Sequence, residues 1–347
     1  MIIRKPHYYD RFQCLAGSCP DSCCQEWDVQ VDPEAARRYQ CLPGELGEAL
    51  RAHLTEEDGE HYLQITDRRC PMWRQDGLCR IQAELGHEGL CQVCREFPRL
   101  RHDYGDFLEL GLELSCPEAA RLIFTSPALP MTELQAEGGA EPEYDTEAMA
   151  VLLRTRQEAL AILDAHPLSE ALPLLLLYGY RAQEELDGGE AQPWDETAEL
   201  SLAWRLAEDG DWEPLCEFYR SLELLTPRWA ARLEKGHPHF PAPLSNMVRC
   251  GIERYWLQAV SDYDLVCRVK MILAGTLLVG YLGGDLIETA QLYSKEIDNS
   301  AENVEAILDG AYTHPALTDR YLLGLMRKMG SGEKTAISPL QNGKSLI

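Results

Sequence analysis

"FQCLAGSCPDSCCQEWDV", residues 12–29, places Cys14, Cys19, Cys23 and Cys24 within eleven positions and follows them with Trp27. A chain of 347 residues can bury one large core or two domains, so it does not depend on disulfide staples and its thiols are free for other chemistry. The start, MIIRKPHYYDRF, lacks the apolar run and small-residue cleavage site of a secretory signal. A cytoplasmic, reducing compartment is therefore expected. Clustered cysteines there point to metal binding or catalysis rather than to disulfides.

Ten of the thirteen cysteines lie at or before Cys116. The series runs C-x4-C-x3-C-C over 14–24, Cys41 alone, C-x8-C at 70 and 79, C-x2-C at 91 and 94, then Cys116 before Pro117. Thiolates are soft donors that suit zinc, copper(I) or an iron–sulfur cluster, and four of them close a tetrahedral site or hold one cubane. Adjacent residues diverge in a helix or a strand, so Cys23 and Cys24 reach one mononuclear ion only with distortion. A larger cluster or two nearby sites accommodates them better. No C-x2-C…H-x3-H pattern accompanies the nearest histidines, so all-thiolate ligation is expected, with a 4Fe-4S cluster ahead of zinc. The candidate ligands are Cys14, Cys19, Cys23, Cys24, Cys70, Cys79, Cys94 and Cys116. Cys41, Cys216, Cys250 and Cys267, isolated on helical faces, read as core residues. Cys19, Cys23 and Cys24 give C-x3-C-C rather than the C-x3-C-x2-C of radical S-adenosylmethionine enzymes, so radical chemistry is not read here.

The formal net charge of −25 excludes a phosphate-backbone partner, which needs clustered Lys and Arg. Residues 1–125 hold 22 Asp/Glu against 14 Lys/Arg (net −8) and the rest 35 against 18 (net −17), a field that serves solubility or draws in a lysine-bearing partner. No membrane span is expected. VKMILAGTLLVGYLGG (269–284) carries Lys270 and several glycines and reads as a buried helix.

Composition changes after residue 125. Residues 126–147 mix Pro, Gly and acidic residues without apolar period, as a linker does. Helical spacing then dominates 148–330: over 147–166, over 195–209, from Asp211 to Leu225, after the Thr226 cap and Pro227, and over 244–260, 263–282, 285–297 and 301–308. Residues 331–347 read as a flexible tail. In the N-terminal region a strand pair is expected between EHYLQIT (60–66) and DFLELGLELS (106–115), the second alternating through Leu108, Leu110, Leu112 and Leu114. The fold class is mainly α, with an N-terminal cysteine-rich metal-binding module (1–125) followed by a C-terminal helical domain.

Three motifs, CxxxxCxxxCCxxW, RRCPMWRQDGLCRIQAELGHEGLCQVCREFPR (68–99) and LELSCPEAARLI (112–123), resemble the signature of the flagellin lysine-N-methylases, within a wider cysteine-rich group of zinc- or iron-chelating proteins. YSKEIDNSAENVEAIL (293–308) is similar to that family's C-terminal helical region, a weaker match. The resemblance implies methyl transfer from S-adenosylmethionine to flagellin lysines by a protein carrying an iron–sulfur cluster. The rival reading is a non-enzymatic metal-binding or metal-delivery protein.

The residues themselves do not disclose a donor site or catalytic groups. There is no P-loop, H-E-x-x-H or G-x-S-x-G, and LVGYLGGDL (278–286) lacks the strand that a glycine-rich nucleotide loop needs. Displacement at a sulfonium methyl needs a neutral amine and an in-line approach, not a metal. The cluster is thus expected to fix the fold and shape a pocket. Tyr8, Tyr9, Trp27, Trp73 and Tyr104 are candidates to line it, unless they fill a small core. Arg80, Arg95, Arg99 and Arg121 flank cysteines and could offset thiolate charge or bind the donor's carboxylate.

Overall fold

The structure, a computed structural model, describes residues 1–27 and 29–333. Fifteen α-helices and seven short strands make the described chain mainly α, as expected. Two compact units form. The first joins Met1–Glu143 with Glu223–Glu234 and Asp285–Asn303, and the second joins Tyr144–Leu222, Lys235–Gly284 and the segment from Val304.

The strands all belong to the first unit: β1 (Ile2–Lys5), β2 (Val29–Val31), β3 (Leu54–Glu57), β4 (Glu60–Leu63), β5 (Arg99–Asp103), β6 (Phe107–Leu112) and β7 (Thr132–Gln135). One sheet has the order β5-β6-β1-β7, with β1 parallel to β6 and the other pairs antiparallel; the second has the order β2-β4-β3 and is antiparallel throughout. Both expected strands exist, but they do not pair with each other. β4 lies between β2 and β3, and β6 between β5 and β1, because alternation fixes which face a strand buries and not which strand it meets. Gly105, at a φ of 87°, turns β5 into β6. Within 126–147, read as a linker, Thr132–Gln135 pairs along β1, with Leu134 opposite Ile3.

Around the smaller sheet, Val29, Val31, Tyr39, Leu50, Leu63, Met72 and Ile81 form a core that takes in Cys70 and Cys91. Asp32 organises this region. One of its carboxylate oxygens accepts from Ala35 N at 2.8 Å and caps the Pro33–Cys41 helix, and the other accepts from Gln92 N at 2.7 Å, where the Gln92–Glu96 helix begins.

Two sequence-distant segments complete the first unit. Thr226 caps the Pro227–Leu233 helix through Trp229 N, as the sequence indicates, and Asp285 caps Leu286–Ile297 through Glu288 N. The two segments are tied together: Leu225 N donates to Glu296 at 2.7 Å, and the Asn303 amide donates to Glu223 O at 2.9 Å and Glu296 O at 2.8 Å.

The second unit is built from helices. Thr146–Ala165 and Leu168–Leu186 form a hairpin that turns at His166 and Pro167. Val266–Leu282 is buried on all sides, as the reading of 269–284 requires. Its Lys270 ammonium is satisfied by Asp319 at 2.8 Å and by Ala311 O at 2.8 Å. Among the described residues no helix is long and apolar enough to cross a membrane. The expected tail falls largely outside the described residues; Ser331–Glu333 close the Asp319–Glu333 helix, and 334–347 are not described.

Burial works against ionisation of Asp32, yet the N–H groups of Ala35 and Gln92 outweigh it and hold the carboxyl below its usual range. The stabilisation is therefore present above the unfolded-state value of about 3.9 and is lost as pH falls through the lower folded-state value. Asp32→Ala should destabilise the chain by about 1–3 kcal/mol in urea unfolding at neutral pH. The deficit relative to wild type should shrink below pH ~4.

Candidate metal centre

A cavity of about 640 Å³ opens within the first unit, and all eight candidate ligand cysteines line it. Cys91 joins them, a ninth thiol that the reading of the C-x2-C pair left out in favour of Cys94 alone. Cys41 is not on the cavity and sits exposed at the end of its helix rather than in a core. Cys216 and Cys267 are buried, as read, and Cys250 is half-buried. No cysteine forms a disulfide among the described residues.

Local structure brings these thiols together from four stretches of chain. Cys70 N donates to Cys24 O at 2.8 Å, Trp73 bridges to Cys79, and Arg80 N returns to Met72 O at 2.7 Å, so the 70–79 loop folds back beside Cys24. Gly17 and Gly77 meet backbone to backbone; a Cβ on Gly17 would lie 2.8 Å from Asp76 O, and Gly77 holds a φ of 78°. That contact lays the Cys14–Cys19 loop against the Cys79 loop. The Gln291 amide donates to Asp21 Oδ2 at 2.9 Å and to Ser115 O at 2.8 Å, which draws the 19–24 loop alongside Cys116.

Burial dominates the chemistry of most of these thiols. It pushes Cys70 up to about 12 and Cys116 up to about 11, and raises Cys19 and Cys79. Two pairs depart from this. The Cys23 thiol donates to Cys24, which raises Cys23 and lowers Cys24 to about 7; the Cys94 thiol donates to Cys91, which raises Cys94 and lowers Cys91. Thiolates at Cys19, Cys70, Cys79 and Cys116 would need a cation to compensate them.

The donor set fits a thiophilic metal ion or an iron–sulfur cluster in type and number, since nine soft sulfur donors share one cavity. Among the described residues, no three His, Cys, Asp or Glu side chains are closed on a point at which a metal could sit.

Of the five aromatic candidates only Trp27 lines the cavity, its indole N–H donating to Cys23 O at 2.8 Å. Tyr8 is buried edge-on to His7, Tyr9 lies 5.9 Å from the Lys5 ammonium, Trp73 lies under Arg69 and Tyr104 stacks on Phe107. Phe12 and Phe97 supply the other aromatic walls. Arg95 and Arg99 line the cavity, whereas Arg80 pairs with Glu84 at 2.6 Å and Arg121 grips Glu118 with two bonds, at 2.6 and 2.7 Å.

Sequence reasoning missed a polar wall. Lys295, which also lines the cavity, reaches Asp21 and Glu26 at 3.3 Å each, and Arg228 adds a contact to Asp21 at 3.7 Å. The Lys295, Asp21 and Glu26 side chains are 12%, 9% and 17% exposed. Gln291, Lys295 and Asn299 follow at steps of four, one stripe of the Leu286–Ile297 helix and its end, so the signal lay in YSKEIDN without its partner being visible.

The sequence is similar to proteins of Salmonella. Over 134 residues, 37% of the chain, it is 28% identical to a lysine-N-methylase of Salmonella typhimurium and 27% identical to one of Salmonella choleraesuis, in each case across 33% of the relative. It is 27% identical over 134 residues to the flagellar biosynthetic protein FliU of Salmonella muenchen, across 79% of that protein. The chain thus spans about a third of the length of the two lysine-N-methylases that it matches. These similarities support the resemblance carried by the cysteine motifs. No protein-family model and no solved structure matches the chain.

Removing the Lys295 ammonium would take from Asp21 and Glu26 the cation they share, leaving Asp21 to Gln291 and the 3.7 Å contact of Arg228, and Glu26 to Arg68 at 2.8 Å. Lys295→Met should cost about 2–4 kcal/mol in urea unfolding, and adding Asp21→Asn should recover part of that loss. Additive effects in that double-mutant cycle would show that the ion pair carries no coupling.

Proposed function

We propose that the protein transfers methyl groups from S-adenosylmethionine to lysine side chains of flagellin, and that the cysteine-lined cavity is where donor and acceptor meet. The observation that carries this reading is the convergence of nine thiols, an aromatic wall and a paired-carboxylate wall on one cavity, in a chain similar to lysine-N-methylases. A metal group held by the cavity cysteines would supply cross-linking of the four chain stretches and a fixed cavity shape.

The chain's own residues meet the other demands of the displacement. Phe12, Trp27 and Phe97 offer apolar surface to a nucleoside and a sulfonium, and aromatic faces attract such cations. Arg95 and Arg99 suit the donor's carboxylate. Asp21 and Glu26 already hold one ammonium, that of Lys295, which shows the charge this wall accepts. An incoming flagellin lysine would give up its proton to solvent, its neutral amine would then attack the donor's methyl carbon, and the donor's sulfur would leave as a neutral thioether. The cavity volume leaves room for a methyl donor beside bound metal.

The test uses full-length protein purified without oxygen. Iron with acid-labile sulfide, heat of binding with S-adenosylmethionine and added methyl mass on flagellin lysines are the expected results. Zinc without sulfide would replace the cluster by a zinc centre. Metal without any S-adenosylmethionine binding would favour the metal-delivery reading.

The acidic balance of −17 beyond residue 125 gives a separate expectation. Raising the ionic strength shortens the Debye length below its physiological value of about 8 Å. Association of flagellin should then slow while dissociation changes little, because exposed charges act mainly on encounter. An association rate independent of salt would leave the charge with solubility alone.

A further inference from the structure

We propose that three exposed tyrosines of the second unit, Tyr180, Tyr263 and Tyr312, form with their aspartate partners a docking surface for a lysine-bearing segment of another protein. The inference concerns residues of the second unit alone and does not depend on the methyl-transfer reading of the cavity.

The three side chains are 39%, 43% and 60% exposed, yet none is loose. The Tyr180 hydroxyl donates to both carboxylate oxygens of Asp319, at 3.0 and 2.8 Å, that of Tyr263 to Asp145 at 2.9 Å, and that of Tyr312 to Asp264 at 2.5 Å. A ring tethered in this way loses little freedom when a partner covers it. Backbone contacts join the three into one patch. Gln183, one turn beyond Tyr180 on the Leu168–Leu186 helix, donates to Tyr263 O at 2.7 Å and accepts from Leu265 N at 2.7 Å. Between those two positions lies Asp264, the partner of Tyr312. Tyr263 itself holds a φ of 58°, a left-handed conformation that a bulky residue keeps only where its surroundings fix it.

Lys270 shows which chemistry this arrangement accepts. Its ammonium lies 5.9 Å from the Tyr180 ring and 5.9 Å from the Tyr312 ring, and pairs with Asp319 at 2.8 Å. It comes from the buried Val266–Leu282 helix and is 5% exposed, so the exposed parts of both rings stay uncovered. The other cation, Arg268, is 8% exposed and grips Asp262 with two bonds, at 2.9 and 2.7 Å. Asp145, Asp262, Asp264 and Asp319 thus outnumber two inward-facing cations, and the charge shown to solvent is negative. An acidic segment would be repelled here, and a purely apolar one would strip water from the aspartates without replacing it. A lysine side chain satisfies both features, its stem on a ring face and its ammonium towards a carboxylate.

The probe is a fluorescein-labelled peptide of alternating Lys and Gly, titrated with full-length protein and followed by fluorescence anisotropy; a Ser–Gly peptide is the control. In Tyr180→Ala/Tyr312→Ala the Kd for the lysine peptide should rise about 5- to 20-fold. Tyr180→Phe/Tyr312→Phe, which keeps both rings, should stay within about threefold of wild type. Neither variant changes the net charge of −25, so general attraction to an acidic protein predicts no difference between them. A Kd unmoved by loss of the rings would therefore overturn the docking surface. So would equal binding of the Ser–Gly peptide, no binding of the lysine peptide by wild type, or a Phe variant as weak as the Ala variant. Where the double Ala variant loses its helical circular dichroism, Tyr312→Ala alone decides, at the most exposed of the three rings, with an expected rise of about threefold.

Discussion

Thiols buried beside one another resist becoming thiolates, and this constraint governs the first unit. Cys70 and Cys116 are driven to about 12 and 11 by loss of water, so the folded chain carries them as neutral groups unless a cation takes the place of their protons. The exceptions are informative. Cys24 is brought to about 7 because the neighbouring Cys23 thiol donates to it, and Cys91 is lowered by Cys94 in the same manner.

What the sequence disclosed is what depends on local chemistry. The cysteine spacing identifies soft donors whatever the fold, and all eight chosen residues reach the cavity. Thr226 with Pro227 marks a helix start because capping is satisfied within a few residues. Lys270 reports a buried helix because a lone ammonium forbids a lipid-facing span, and the structure shows it paired with Asp319.

What remained hidden depends on pairing over long separations. The Leu168–Leu186 helix contains LPLLLL, a continuous apolar run without helical period, so its burial masks its secondary structure. The contacts of Lys295 with Asp21 span 274 residues, and no local pattern in either segment names the other. Likewise β4 could be read as a strand, but its neighbours β2 and β3 follow from core packing that alternation does not encode.

The same long-range polar contacts explain why the second-half segments belong with the cysteines. A segment that only capped a core would need apolar residues, yet the Leu286–Ile297 helix presents Gln291 and Lys295 to the 19–26 loop. Gln291 bridges Asp21 and Ser115 while Lys295 neutralises Asp21 and Glu26, so one helix face fixes the loop by hydrogen bonds and balances its charge. Ionised thiols would add negative charge to a cavity that already has these carboxylates on one wall, and mutual repulsion would then oppose closure of the loop. Lys295, Arg95 and Arg99 line the cavity where that charge would accumulate. Cationic side chains drawn from distant parts of the sequence thus let a thiol-rich cavity and a carboxylate wall occupy the same region of the first unit.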